Sequence, residues 1–87
     1  MSDRIILKWP MDDPQMGGMM LPGPVIAVGW QHDRLTLWID HAVEARKVNR
    51  QFIAIPTGQA FATGAEHVGS AISNSFVFHV YELEPLP

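Results

Sequence analysis

The residues most capable of chemistry in this sequence are four histidines, three of which adjoin a carboxylate, at Asp33, Asp40 and Glu66. The histidines are His32, His41, His67 and His79. No pair of them shows an established metal-binding spacing, such as two histidines four residues apart on a helix. His79 interrupts an apolar segment, a pattern typical of a half-buried histidine bonded to a neighbour. We therefore predict histidines that bond to water, backbone or neighbouring side chains, and no metal site.

The remaining motifs give no support to catalysis. The chain has no cysteine, which excludes disulfides, thiolate zinc sites and thiol nucleophiles. Its serines lack the strand-to-helix turn that exposes a catalytic serine. Gly17 and Gly18 lack the Lys-Ser/Thr ending of a phosphate loop, and the adjacent Asp12 and Asp13 point apart and suit a turn. We predict no catalytic residue, no cofactor and no enzymatic activity.

The composition favours a chain that binds protein or itself. Its 87 residues make one domain, residues 1–87, which should bury only roughly 60–65% of its unfolded surface. Only 17% of the residues are charged, so some apolar area must face outward or meet another chain. The net charge is −3, and the one basic cluster spans Arg46, Lys47 and Arg50, which argues against nucleic-acid binding.

Short β-strands broken by proline and glycine must position these side chains. We predict strands over residues 4–9, 16–21, 25–31, 35–39, 51–55, 66–72 and 76–83. The segment 42–45 suits either a helical turn or a loop. The spacing of the breaks predicts a small antiparallel β-sandwich or barrel of six or seven short strands, with at most one short helical turn.

The clearest unit is a strand-turn-strand segment from Val25 to Ile39. Regular alternation would place Ile26, Val28 and Trp30 on one face of its first strand. Because neither strand then has a fully polar face, we expect cover on both sides of the hairpin.

The predicted partner-binding residues come from three features. Trp38 shares a face with Thr36 and Asp40, so it is the candidate for an exposed anchor. Four methionines between residues 11 and 20 suit either filler on an edge strand, which we favour, or an adaptable contact surface. The predicted partner-binding set is Trp38, Met16, Met19, Met20, Arg46 and Arg50.

No apolar run approaches the roughly 20 residues needed to span a bilayer, so we expect no membrane partner. The first residues show no signal-peptide pattern, which favours a protein that acts in the cytosol or is assembled there.

Several segments resemble a domain of unknown function in small proteins of tailed phages and prophages. They include Ile-Leu-Lys-Trp-Pro (6–10), Val-Ile-Ala-Val-Gly-Trp-Gln (25–31), Leu-Thr-Leu-Trp (35–38) and Phe-Val-Phe-His-Val-Tyr-Glu (76–82). The sequence departs from that pattern at Gly-Gly-Met-Met (17–20). The resemblance implies a phage origin and a compact β domain, and it carries over no functional residues.

Three hypotheses follow for the function. The first is a phage-encoded protein that binds a host component, such as part of a defence system, in the host cytoplasm. The second is a structural component of the virion or its assembly. The third is an oligomer that binds a small ligand between subunits.

Overall fold

The chain forms a sandwich of two antiparallel sheets in a computed structural model that describes residues 3–12, 15–61, 64–73 and 75–84. The strands are β1 (Arg4–Pro10), β2 (Gln15–Met20), β3 (Val25–Gln31), β4 (Arg34–Ala42), β5 (Val48–Pro56), β6 (Ala65–Ser73) and β7 (Phe76–Leu83). The strand order is β1-β4-β3 in one sheet and β2-β5-β7-β6 in the other. This confirms the predicted small antiparallel sandwich and shows that it is not a closed barrel.

The described residues contain no helix, and therefore none that could cross a membrane. At 42–45 the chain turns instead, and the amide of Ala45 donates to the carbonyl of Ala42 at 2.9 Å. β5 begins at Val48, earlier than predicted, because Asn49 and Arg50 pair with β2. That pairing is a tertiary contact, and the local sequence did not predict it because Asn49 and Arg50 are polar.

β3 and β4 form the predicted hairpin. Its two turn residues, His32 and Asp33, have φ angles of 52° and 62°. Positive φ at both positions is the signature of a type I′ turn, whose twist matches that of the strands. The face prediction for β3 was wrong at Ile26. The register shifts between Val25 and Ala27, so Ile26 leaves the regular alternation and is 50% exposed.

The core lies between the two sheets. Leu37 and Ile39 from β4 meet Phe52 from β5 and Val80 from β7, and all four side chains are fully buried. These residues alternate along their strands, as a face packed against a second sheet requires. Half-buried Trp9, Trp30 and Phe78 pack around this centre.

Arg50 joins the second sheet to the loop between β2 and β3. Its guanidinium makes two hydrogen bonds to the carboxylate of Glu82, at 2.7 and 2.8 Å. It also donates to the carbonyls of Leu21 and Gly23 at 2.8 and 2.9 Å, and it lies 5.1 Å from the ring centre of Phe52. Charge-assisted, bidentate bonds of this kind are the strongest that side chains form.

The edge strands β3 and β6 meet at one side of the sandwich. A Cβ atom on Gly69 would overlap the side chain of Val28, with the Cβ of Val28 at 2.9 Å and its Cγ2 closer still. Only glycine therefore permits this approach. Both strands carry a bulge here, which bends each edge towards the other.

Candidate binding surfaces

A row of hydrogen-bonded hydroxyl and imidazole groups, here called the imidazole chain, lies on the outer face of the four-stranded sheet. Thr57 Oγ1 is 2.9 Å from His79 Nε2. His79 Nδ1 is 2.8 Å from Ser70 Oγ, which is 2.9 Å from His67 Nε2. The row links β6 and β7 to the residue that follows β5. It confirms that His79 is half-buried and bonded to neighbours.

The bulge in β6 brings this row together. Ser70 is the register partner of His79, and His67 is the partner of Tyr81. In a regular strand His67 and Ser70, three residues apart, would point to opposite faces. The register shift between His67 and Gly69 returns both to the outer face. Gly69 inside the strand is a signal for a bulge, but sequence reasoning did not use it and missed this cluster.

The imidazole chain has a defined chemistry. Its three hydrogen bonds can form together when every donor points in one direction. His67 Nε2–H can donate to Ser70, the Ser70 hydroxyl to His79 Nδ1, and His79 Nε2–H to Thr57. In this direction the Thr57 hydroxyl remains free to donate to the carbonyl of Val77, 3.4 Å away. Such a row can hold or pass a proton, but no carboxylate among its members orients a serine nucleophile. In the described part of the chain no three His, Asp or Glu side chains are placed to hold a metal ion.

Aromatic rings extend the imidazole chain. The ring of His67 meets Tyr81 edge to face, with centroids 5.2 Å apart. Phe61, which is 44% exposed, lies against Tyr81 at 4.7 Å. Polar and aromatic groups therefore form one continuous surface.

That surface belongs to a sheet face without formal charge, which we call the neutral face. It consists of the outward positions of β5, β6 and β7, as given by the strand registers. These positions are Gln51, Ile53, Ile55, Ala65, His67, Ser70, Ile72, Val77, His79, Tyr81 and Leu83. None of them is Asp, Glu, Lys or Arg.

A second candidate surface is a pocket of about 230 Å³ beside the turn between β3 and β4. Both sheets contribute to it. Its lining residues are Met11, Asp12, Trp30, Asp33, Arg34, Leu35, Ala54 and Phe78. The walls are apolar and the charged groups come from the turn and from the segment after β1. An apolar centre with a polar rim is the usual composition of a binding site.

Aromatic side chains continue outward from this pocket. Trp30 meets Phe78 edge to face, with centroids 5.7 Å apart. Phe78 in turn lies 6.5 Å from Phe76, which is 63% exposed. Trp30 Nε1 is buried, and the described residues give it no hydrogen-bond acceptor. Half-buried Phe78 thus connects Trp30 in the pocket wall to the exposed ring of Phe76.

The predicted partner-binding residues are scattered over the fold. Trp38 is half-buried on the outer face of the three-stranded sheet, where its ring carbon Cζ3 lies 3.5 Å from the Cβ position of Gly29. Arg46 is exposed in the loop before β5. Partner binding by these two residues stays a prediction.

The other predicted residues have different places. Met20 is 1% exposed and belongs to the core, so it has no surface to offer a partner. The guanidinium of Arg50 is occupied by internal acceptors. Met16 and Met19 lie on the edge strand β2, as favoured, but their side chains fall outside the described residues. The structure thus does not gather the set into one patch.

Comparison with known proteins gives one match. The model of a family described as a domain of unknown function (DUF7352) matches residues 2–86. No curated protein and no solved structure matches the chain.

Proposed function

Since the chain belongs to the DUF7352 family of domains of unknown function, we propose a role from its geometry: it is a non-enzymatic protein that acts by stoichiometric binding of another protein. The observation that carries this proposal is the row of Phe76, Phe78 and Trp30, which leads from an exposed ring to the apolar pocket. Aromatic anchors in such settings supply most of the binding energy at many interfaces.

The size of the pocket supports a protein ligand over a small molecule. About 230 Å³ is less than the roughly 300–1,000 Å³ typical of small-molecule sites. It is enough for one apolar side chain of a partner. The ion pair between Arg34 and Asp12, at 3.3 Å, lies at the rim, where charges set the orientation of a partner more than the affinity.

The resemblance to small proteins of tailed phages supports a partner inside a bacterial host. We therefore place the protein in the host cytoplasm, bound to a host component that it blocks or redirects. The low charge of the chain agrees with a surface built for contact.

The test compares two phenylalanine variants. Tagged wild-type protein, Phe76→Ser and Phe61→Ser would each be used to isolate partners from a bacterial lysate. Phe76 adjoins the pocket and Phe61 lies beside the neutral face, and both rings are exposed. We expect a stoichiometric partner with wild type and Phe61→Ser, and affinity weaker by at least about 10-fold with Phe76→Ser.

A photo-crosslinking residue at position 76 would then identify the contact. Crosslinks to the captured protein support binding at the pocket. Loss of the partner with Phe61→Ser alone would instead assign binding to the neutral face, and absence of any stoichiometric partner would contradict the proposal.

A further inference from the structure

We propose that the neutral face is the interface of a homodimer, in which two copies pack their four-stranded sheets together, and that protonation of His67 and His79 separates them. The inference is independent of the pocket, which lies on the other side of the sheet from this face.

The contrast between the two outer faces of the sandwich is the first argument. On the three-stranded sheet, Arg4 donates to Asp40 at 2.9 Å, and this contact raises the pKa of Arg4. Lys8 donates to Gln31 at 2.7 Å on the same face. That face carries charged groups, together with Ile6, which is 58% exposed. The neutral face has no such groups, although 15 of the 87 residues are charged at neutral pH (6 Lys and Arg, 9 Asp and Glu).

The neutral face is only partly covered by the described residues: Ile55 on it is 3% exposed, whereas Gln51, His67, Ser70 and Ile72 are exposed. The shortest dimension of the molecule is 18 Å, which accommodates two sheets about 10 Å apart with their outer side chains and no third layer. Ile72 on this face is 71% exposed, the highest value among the exposed large hydrophobic residues of the described chain. An antiparallel sheet that faces water normally alternates apolar and polar residues, and this one does not.

The groups of the imidazole chain have hydrogen-bond partners within the face. The imidazole chain satisfies both ring nitrogens of His79, Nε2 of His67 and the hydroxyl of Ser70. A buried polar group is costly mainly when it has no hydrogen-bond partner. These groups can therefore be covered by an apolar surface without losing their bonds.

Charge selects a second copy as the occupant. Each chain has a net charge of −3, so two copies repel in most orientations. A two-fold axis through the neutral face brings together identical surfaces that contain no carboxylate. A strongly charged partner would find no opposite charge there to pair with.

The available area predicts a weak dimer. Three strands about 4.8 Å apart and about seven residues long give a footprint of roughly 330 Å² per copy. A total of roughly 660 Å² is well below the range of about 1,200–2,000 Å² for stable interfaces. We therefore expect an association that depends on protein concentration.

The histidines make this association depend on pH. The groups that face them are Thr57, Ser70 and Tyr81, none of which can compensate a positive charge. β5 contributes Gln51, Ile53 and Ile55, and the sequence of β2 contains no charged residue. Glu66 and Glu82 are register partners on the opposite face of the sheet. Protonation would place unpaired imidazolium groups in a desolvated interface, so the dimer should dissociate when the pH is lowered.

The experiment is sedimentation velocity over a range of protein concentrations, with a matched pair of isoleucine variants. Ile72 lies on the neutral face and Ile6 on the outer face of the other sheet, beside Asp40, and both are exposed positions in strands. We expect Ile72→Lys to weaken the dimer by at least about 100-fold, because it buries an unpaired charge, and Ile6→Lys to dimerise like wild type.

Two further measurements keep the result interpretable. If circular dichroism shows that Ile72→Lys is unfolded, Gln51→Lys replaces it, since Gln51 is also exposed on the neutral face. The double variant His67→Gln, His79→Gln should dimerise equally well at neutral and at acidic pH. Wild-type protein that is monomeric at every concentration, or equal weakening by Ile72→Lys and Ile6→Lys, would overturn the proposal. A pH dependence that persists in the double variant would overturn the role of the histidines.

Discussion

At the scale of single residues, Arg50 has the largest number of partners among the described charged side chains. Its side chain is 12% exposed, and that of Glu82 is 25% exposed. One guanidinium satisfies a carboxylate and two loop carbonyls, and its plane lies near an aromatic ring. An arginine in an exposed loop would contribute little to the free energy of unfolding. The position of Arg50 in the fold therefore makes it a structural residue.

We expect Arg50→Ala to lower the free energy of unfolding by about 3 kcal/mol, because Glu82 and the carbonyls of Leu21 and Gly23 lose their donor. Chemical denaturation followed by circular dichroism measures this change. Arg34→Ala is the control, since its ion pair with Asp12 is exposed and should matter little. Equal destabilisation by both variants would show that the internal bonds of Arg50 contribute no more to stability than an exposed ion pair.

At the scale of elements, the contact between β3 and β6 brings the edges of the two sheets together. An exposed edge strand offers unpaired backbone groups to other chains. Here the two bulges and the absence of a side chain at Gly69 let one edge lie against the other. The same bulge in β6 builds the imidazole chain. One local irregularity thus serves both edge packing and the composition of the neutral face.

We predict that Gly69→Ala destabilises the protein by about 1–3 kcal/mol, because its methyl group would overlap Val28. The double variant Val28→Ala, Gly69→Ala should recover part of this loss, since it removes the atoms that collide. Thermal unfolding of the two single variants and the double variant gives the coupling energy between the sites. If the free-energy changes of the two single variants simply add up in the double variant, the added methyl group does not collide with Val28 and the strands move apart instead.

At the scale of the whole molecule, the two sheets share one core. The tryptophans, however, lie in only one of the two sheets. All three tryptophans lie in the three-stranded sheet, on β1, β3 and β4, whereas Tyr81 lies in the four-stranded sheet. Leu37 and Ile39 are fully buried against residues of the opposite sheet. Neither sheet can lose its partner and keep its core.

We therefore expect one cooperative unfolding transition. Tryptophan fluorescence, which reports on the three-stranded sheet, should change at the same denaturant concentration as far-UV circular dichroism, which reports on all strands. A fluorescence midpoint well below the dichroism midpoint would show instead that the three-stranded sheet unfolds alone.

The sequence by itself determined the class of fold, the hairpin from Val25 to Ile39 and the interpretation of His79. These depend on β-branched and aromatic runs broken by proline and glycine, which are local properties. It also limited the chemistry, since the absence of cysteine needs no structure. The beginning of β5 at Val48 could not be predicted, because pairing with β2 extends it.

Only the tertiary structure decided which residues share a surface. A bulge reverses the alternation after Ile26 in β3 and around Val68 in β6, and a shift of one residue moves every later side chain to the other face. The bulge in β3 left Ile26 exposed. The bulge in β6 placed His67 beside Ser70 and produced a sheet face without charge. Arg50 and Met20, chosen as contact residues from composition, lie inside because their partners are distant in sequence. Binding surfaces depend on such long-range pairings, and periodicity does not encode them.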